Sequence, residues 1–129
     1  RPHALAFVPL SGVRLRERGF NQAEQLALRL GRLVGLPVMD VLERNLHSDR
    51  QSWKARRERI AGLKGAYRLS ETGRRIKMEG LCRKGAPARG SLRIAVVDDV
   101  YTTGTTLDEC ARVLVEELGA EVFGLTWGR

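Results

Sequence analysis

The fold is decided by residues 92–106, which read LRIAVVDDVYTTGTT. The stretch Leu92–Val97 is mostly apolar and β-branched, which is typical of a buried strand. It runs directly into two aspartates, and a hydroxyl-rich stretch with one glycine follows. Apolar residues then recur at helical spacing from Leu107 to Leu118. The segment therefore predicts a strand, a loop and a helix in close succession.

Sequence on both sides of this segment continues the alternation. Further strands are predicted at Ala4–Leu10, Val38–Leu42, Ala66–Leu69 and Val122–Trp127. Apolar periodicity predicts a helix over Ala23–Val34, with Asn21 as its N-cap and Gly35 at its end. Strands alternating with helices indicate an α/β fold with a parallel sheet and right-handed crossovers.

Three segments show no clear periodicity of apolar residues. Ser11–Gly19 is predicted as a polar, arginine-rich loop, and Asn45–Gly65 as a basic loop that contains at most a short helix. Ser70–Ser91, rich in glycine and basic residues, is predicted as an exposed basic excursion. Since 129 residues are the length of one ordinary domain, residues 1–129 are taken as a single domain.

Charge is divided unevenly along the chain, whose net charge is +8. Residues 1–93 hold 21 Lys and Arg against 8 Asp and Glu, whereas residues 94–129 hold 2 basic and 7 acidic residues. A basic body suggests an anionic ligand or a nucleic acid. The acidic end suggests a specific role for carboxylates.

Composition excludes several classes of protein. No apolar run approaches the roughly 18 residues of a membrane span. The two cysteines, Cys82 and Cys110, are too few for a metal cluster or a disulfide scaffold, so no protein-held metal is expected. We expect reduced thiols, a cytoplasmic location and, since the chain lacks an initiator Met, a fragment or processed form.

The candidate chemistry lies in Asp98, Asp99 and the loop after them. Carboxylates at the end of a parallel strand lie where open α/β sheets bind ligands. A Thr- and Gly-containing loop that opens a helix offers backbone N–H groups, hydroxyls and the positive end of the helix dipole to a phosphate. The carboxylates can accept hydrogen bonds from the hydroxyls of a sugar, and the adjacent loop can bind a phosphate. Together they fit a sugar phosphate.

Val96–Thr106 resembles the phosphoribosyl-pyrophosphate (PRPP) motif of type I phosphoribosyltransferases. The chain is also similar to the ComF family of competence proteins, whose signature is matched by Arg14–Gln22, RLRERGFNQ. This resemblance covers roughly residues 7–127. It implies a parallel-sheet phosphoribosyltransferase-like fold, with the base-recognising hood absent or reduced.

The resemblance implies roles for individual residues. Asp98 and Asp99 are the candidate catalytic residues, which bind the ribose hydroxyls. The 5′-phosphate is assigned to Thr102, Thr103, Gly104, Thr105 and Thr106. The pyrophosphate is assigned to Arg14, Arg16 and Arg18, although a solvated surface explains these arginines as well. Residues 45–65 correspond to a flexible loop whose candidate contacts are Arg56, Arg57 and Arg59, although a solvated basic face explains these arginines equally well.

The implied reaction transfers phosphoribosyl from PRPP to a nitrogen nucleophile and releases pyrophosphate, with Mg²⁺ held mainly through PRPP. Thr102 stands where purine-salvage relatives often have an Asp that can act as a base, which favours a nucleophile that is anionic or needs no base. Gly62 stands where ComF proteins usually have Asn, and the family's cysteine-rich zinc segment is absent.

Two questions stay open at the level of sequence. The first is whether the chain is instead a non-catalytic module that binds PRPP or single-stranded DNA in DNA uptake, since the surplus of positive charge from Arg74 to Arg93 has no other assigned role. The second is whether it forms a homodimer. A response-regulator receiver is disfavoured because its acids come early in the chain, and a P-loop nucleotidase is excluded by the lack of its glycine–lysine motif.

Overall fold

A computed structural model describes residues 2–10, 12–45, 65–82, 92–100 and 105–128. In chain order the elements are β1 (Ala4–Phe7), α1 (Gly12–Arg18), α2 (Gln22–Val34), β2 (Leu42–Arg44), β3 (Tyr67–Leu69), α3 (Glu71–Cys82), β4 (Arg93–Val100), α4 (Thr105–Leu118) and β5 (Glu121–Gly128).

A parallel sheet of three strands, in the order β1-β4-β5, forms the centre of the fold. In its register Val97 of β4 lies between Phe7 of β1 and Leu125 of β5. Apolar side chains on both faces of β1 and β4 are buried, as expected for parallel strands covered by helices. The predicted α/β class with a parallel sheet is therefore confirmed.

Helix α2 covers one face of this sheet. Asn21 caps it as predicted, because its side-chain oxygen accepts from the N–H groups of Ala23 (3.0 Å) and Glu24 (3.4 Å). Gly35 ends it in the left-handed conformation, with φ of 72°. Small residues along its inner side let the helix approach closely, and a Cβ on Gly31 would lie 2.7 Å from the carbonyl oxygen of Leu36.

The larger apolar core lies on the opposite face, between the sheet, α4 and the antiparallel pair β2–β3. Its fully buried members include Ile94, Val96, Cys110 and Leu114. Cys110 is thus a core residue, as its place in the apolar pattern predicts. The β2–β3 pair brings Arg44 opposite Tyr67.

The predicted strand Val38–Leu42 is displaced. Val38 makes an isolated parallel bridge with Leu5, beside β1, and the strand β2 begins only at Leu42. Backbone hydrogen bonds on both sides of Val38 explain the bridge, because Leu5 donates to the carbonyl of Pro37 and accepts from the N–H of Met39. The chain then leaves the parallel sheet before it pairs with β3.

The prediction of a loop at Ser11–Gly19 is wrong, because residues 12–18 form α1. Leucine, arginine and glutamate are strong helix formers, so the segment needs no apolar period to become helical. Gly19, with φ of 81°, ends the helix, and its N–H donates to the carbonyl of Leu15 (2.7 Å). Arg16 and Arg18 lie in the last turn, where their positive charges interact favourably with the negative end of the helix dipole.

The excursion predicted at Ser70–Ser91 is also corrected in its first half, which is helix α3. The hydroxyl of Ser70 accepts from the N–H of Gly73 (3.1 Å) and donates to the carbonyl of Asp40 (2.6 Å), so it both caps the helix and fixes its start. Ile76 packs against the core, while most other described side chains of the helix are exposed. Residues 83–91 of the excursion lie outside the described residues.

Candidate functional site

The described residues that flank three connections surround the candidate site. The first joins β1 to α2 and contains α1. Val8 donates its N–H to the carbonyl of Val97 (3.0 Å), and the side-chain amide of Asn21 donates to the carbonyl of Val8 (3.1 Å). The segment with α1 therefore leaves the sheet and returns to it next to the end of β4.

The second connection joins β2 to β3. Asn45 donates its N–H to the carbonyl of Ala66 (2.8 Å), which closes the two ends of the intervening segment onto each other. Gly65, at the far end, donates its N–H to a carboxylate oxygen of Glu109 on α4 (2.9 Å). Gly65 is thus tied to α4, and Asn45 lies beside Ala66.

The third connection follows β4, and the predicted acids lie in the last residues of that strand. Asp98 lies within β4, opposite Thr126 of β5, and is half-buried. The strand extends further than the sequence predicts, since β4 continues through Asp98 and Asp99 to Val100. Both aspartates therefore occupy the carboxyl end of the middle strand, where ligands bind in open α/β sheets.

The pKa shifts of two buried side chains show which residues lie near Asp98. Burial and the Asp98 carboxylate raise the pKa of the Cys110 thiol well above its usual range. Burial, followed by a smaller effect of Cys110, raises the pKa of Tyr67, and Asp98 adds to that rise. A thiol on α4 and a phenol on β3 thus share the field of Asp98, and both remain neutral at physiological pH.

Arg44 adds a positive charge to the cluster formed by Asp98, Cys110 and Tyr67. Its guanidinium donates to the Tyr67 hydroxyl (3.1 Å) and lies 5.0 Å from the centre of the Tyr67 ring. Its positive charge opposes the rise in the pKa of both Tyr67 and Cys110. The sequence analysis missed Arg44 and Tyr67, since 23 residues separate them and only the register of the β2–β3 pair brings them together.

Glu109 is a second residue that sequence analysis missed. Its side chain is only 4% exposed, and Arg112 donates to both of its carboxylate oxygens (2.7 Å each). These hydrogen bonds raise the pKa of Arg112 above its already high usual value. The signal that indicates this pair is the i,i+3 spacing of Glu and Arg on a predicted helix.

Several predicted site residues are described and lie at this edge. Asp98 and Asp99 are at the end of β4, and Thr105 and Thr106 are in the first turn of α4, where Thr106 is half-buried. Arg14, Arg16 and Arg18 lie on α1, and the side chains of Arg16 and Arg18 are exposed. The structure thus brings α1, the two aspartates and the start of α4 to one edge of the sheet.

The other predicted site residues lie outside the described residues. These are Thr102, Thr103 and Gly104 of the phosphate loop and Arg56, Arg57 and Arg59 of the flexible loop. Their roles remain predictions.

Within the described part of the chain, no three His, Cys, Asp or Glu side chains are grouped so as to hold a metal ion. Mg²⁺ usually binds to proteins through one or two carboxylates together with phosphate oxygens of a substrate. Asp98, half-buried at the sheet edge, is a carboxylate of that kind. The residues present therefore fit Mg²⁺ that arrives with a polyphosphate. Among the described helices, none has the length and apolar character needed to cross a membrane.

Comparisons with known proteins find relatives that are named competence proteins or DNA utilization proteins. It is 34% identical to Competence protein F of Haemophilus influenzae over 98% of the chain and 49% of that relative. It is 37% identical to Competence protein ComFC of Bacillus subtilis over 85% of the chain and 37% of that relative. With the DNA utilization protein YhgH of Escherichia coli the identity is 30%, over 94% of the chain and 47% of the relative.

The chain spans about half the length, or less, of these relatives. No family model matches the chain. No solved structure matches it significantly.

Proposed function

The chain is a homologue of the ComF, ComFC and YhgH proteins over most of its length, and from this premise we propose that it binds PRPP and transfers its phosphoribosyl group to a nitrogen nucleophile. The observation that carries the proposal is the position of Asp98 and Asp99. They end the middle strand of a parallel sheet and directly precede the connection to α4.

In this proposal the two carboxylates accept hydrogen bonds from the ribose hydroxyls. The half-buried position of Asp98 supports this role, because a carboxylate partly removed from water makes stronger and more directional hydrogen bonds. The loop Thr102–Thr106 and the N-terminus of α4 hold the 5′-phosphate, which a helix N-terminus favours. Sugar and phosphate are then fixed by adjacent parts of one connection.

The pyrophosphate is assigned to the arginines of α1. Arg16 and Arg18 are exposed on α1, and Asn21, which follows this helix, donates to the carbonyl of Val8 just after β1. Their guanidinium groups match phosphate oxygens in geometry and charge. A helix offers these cations from a firmer support than the loop that the sequence predicts.

The proposed reaction breaks the bond between C1 of the ribose and a pyrophosphate oxygen, and forms a bond from C1 to the nitrogen. Pyrophosphate leaves with the bonding electrons, and the nucleophile either arrives as an anion or gives its proton to water. Bound Mg²⁺ supplies positive charge that stabilises the leaving pyrophosphate. The protein contributes position and electrostatics, since its carboxylates stabilise the cationic ribose and its arginines stabilise the leaving group.

The first experiment is calorimetry of the chain with PRPP and Mg²⁺. We expect a binding heat that Asp98→Asn combined with Asp99→Asn abolishes. Asp40→Asn, which changes an exposed aspartate of the same chain, serves as the control and keeps full affinity. No binding heat and no thermal shift with the unchanged chain would contradict the proposal.

Transfer itself is tested by release of pyrophosphate from PRPP with adenine, guanine, uracil, orotate or ammonia as nucleophile. Release that depends on one of these compounds and is lost in Asp99→Asn supports the enzyme. Binding of PRPP without release for any of them supports a non-catalytic PRPP-binding module instead.

A second candidate function is binding of single-stranded DNA, which the names of the relatives favour. The positive charge left unassigned at Arg74–Arg93 supports it less than the sequence suggests, because its described members have partners within the domain. Arg74 donates to the carbonyl of Leu69, and Lys77 pairs with Glu117. Other exposed arginines lie on α1 and α2, at Arg16, Arg29 and Arg32.

A mobility-shift assay with single-stranded DNA at several salt concentrations separates the two functions. DNA binding through α2 predicts that Arg29→Ala with Arg32→Ala weakens it and lowers the salt slope by about 0.7 per lost phosphate contact. The same double variant leaves PRPP affinity unchanged. No retardation at low salt excludes this candidate.

A further inference from the structure

We propose that a hollow beside Phe20 binds one unpaired base of single-stranded DNA. The Phe20 hollow has a volume of about 340 Å³ and is lined by five side chains, Phe20, Gln22, Gln25, Leu26 and Arg29. The inference rests on the second candidate function, binding of single-stranded DNA, and names the contact that such binding would use. The hollow is separate from the proposed transfer of phosphoribosyl, since none of its five side chains is assigned to PRPP.

The exposure of Phe20 follows from the way α2 begins. Phe20 directly precedes Asn21, the N-cap of the helix. At this position an apolar residue often packs against an apolar residue four positions after the cap. Here that position holds Gln25, so the ring lacks its usual apolar partner. Phe20 is 49% exposed, and a large part of its surface is therefore open to a ligand.

The other side chains around the ring suit a base. Gln22 and Gln25 each carry an amide with N–H donors and a carbonyl acceptor, which match the polar edge of a base. Leu26 is partly buried against the core on the α2 side and gives the hollow an apolar wall. An unpaired base combines an aromatic face with a polar edge, and aromatic side chains are common platforms for such a face.

Arg29 and Arg32 make the surface around the hollow complementary to phosphates. Both are exposed on the side of α2 that faces away from the sheet, and neither forms an ion pair with another described residue. In α2 no carboxylate lies three or four positions from either arginine. Arg112 of α4, by contrast, pairs with both Glu109 and Glu116. Two such cations beside an exposed aromatic ring fit a phosphate backbone that carries unpaired bases.

The first test compares two single strands that differ only in their bases. One is an oligothymidylate of about 12 nucleotides, and the other has the same backbone with abasic sites. We expect the chain to bind the oligothymidylate about tenfold more tightly in fluorescence anisotropy, near the lower end of what one stacked base contributes. Phe20→Leu keeps an apolar side chain but removes the ring, so it should bind both strands as weakly as the unchanged chain binds the abasic strand.

Phe123→Leu is the matched control, because Phe123 on β5 is 44% exposed and does not line the hollow. We expect it to keep the full preference for the oligothymidylate. Arg29→Ala should weaken both strands alike and lower the salt slope by about 0.7, because it removes a contact to phosphate. Loss of the preference in both phenylalanine variants, or its retention in Phe20→Leu, overturns the inference.

Gln25→Leu tests the hollow without changing the ring. Leucine at this position supplies the apolar partner that Phe20 lacks, so the ring should become covered. We expect thermal stability that is equal to or higher than that of the unchanged chain, together with loss of the preference for the oligothymidylate. A Gln25→Leu variant that is at least as stable and still prefers the oligothymidylate contradicts the inference.

Other ligands give distinguishable results in the same assay. A DNA duplex that binds as tightly as the oligothymidylate overturns the inference, because its bases are already paired and stacked. Displacement of the strand by an equal concentration of thymidine monophosphate also overturns it, since the hollow then takes a free nucleotide. If the chain binds both single strands equally, only the hollow fails. If no strand binds at low salt, the second candidate function fails with it, while calorimetry with PRPP still tests the transferase independently.

Discussion

The two faces of the parallel sheet are packed in different ways. On the face covered by α2, Ala23 and Ala27 meet Phe7 and Val97, and this layer is apolar. On the face covered by α4, the buried layer also contains Tyr67, Cys110 and Glu109. Among the described residues, the ionisable side chains buried near Asp98 therefore belong to the α4 face. The α2 face supports the sheet, while the α4 face both supports it and sets the environment of the candidate site.

The largest difference between the two faces is expected from shortening a leucine. Leu114 of α4 is fully buried, so Leu114→Ala should lower the free energy of unfolding by about 3–4 kcal/mol through lost burial and a cavity. Leu26 of α2 is only partly buried, and Leu26→Ala should cost about 1–2 kcal/mol. Urea unfolding of both variants measures the difference, and equal losses would contradict the comparison.

Adding one methyl group tests how tightly a helix packs on each side of the fold. A Cβ on Gly31 of α2 would lie 2.7 Å from the carbonyl of Leu36, and one on Gly73 of α3 would lie 2.5 Å from the carbonyl of Val41. Each Ala variant should therefore destabilise the fold by about 2 kcal/mol, despite the better helix propensity of Ala.

Gly124→Ala in β5 is the control for this pair, since its Cβ would make an ordinary contact of 3.5 Å with Leu107. We expect it to be neutral or to stabilise by up to about 1 kcal/mol. Thermal denaturation of the three variants measures these changes in stability. If Gly31→Ala or Gly73→Ala proves as stable as Gly124→Ala, the packing described for that helix is wrong.

The cap of α2 links the apolar face to the site edge. Asn21 caps the helix and also donates to the carbonyl of Val8, so Asn21→Ala should cost about 1–2 kcal/mol. Asn21→Ser keeps the cap but is too short to replace the amide donor, and about half of the loss should remain. A serine variant as stable as the unchanged chain would show that the bond to Val8 contributes nothing.

The smallest expected effect is a dependence of the free energy of unfolding on pH, and it should come from the α4 face alone. Burial and Asp98 raise the pKa of Cys110 above 9.0, so the thiol stays protonated in the folded state while it ionises in the unfolded chain. The stability from Cys110 is therefore full below the unfolded pKa and is lost as pH rises above it. At pH 9.5 the loss should be about 1 kcal/mol relative to pH 7.5.

Cys110→Ala isolates this contribution. The variant is less stable at neutral pH because it loses buried volume, but its stability should fall less between pH 7.5 and 9.5. Urea unfolding at the two pH values gives the comparison. Parallel losses in the variant and in the unchanged chain would mean that the thiol is not the group that titrates.

The sequence predicts the elements whose pattern is local. The strand Leu92–Val97, the capped helix Ala23–Val34 and the last strand all agree with the structure to within a few residues. Helices α1 and α3 are missed because their stability does not come from an apolar stripe. In α1 it comes from strong helix formers and a terminal glycine, and in α3 from Ser70, which caps the helix and holds its start to Asp40.

The candidate site divides in the same way. Its acids, Asp98 and Asp99, form a local motif that the sequence displays directly. Its surroundings do not, because Arg44 and Tyr67 meet through strand pairing and Gly65 meets Glu109 across 44 residues. Contacts between distant parts of a chain follow from the packing of whole elements, which no short pattern records.

The closure of Asn45 onto Ala66 has a consequence for how this family can vary. When the ends of a connection are held together by the fold, each doubling of its length adds only about 0.6 kcal/mol of closure entropy. Insertions and deletions between Asn45 and Gly65 are therefore tolerated by the rest of the domain. A change in the length of this segment is therefore expected to leave the stability of the described strands and helices nearly unchanged.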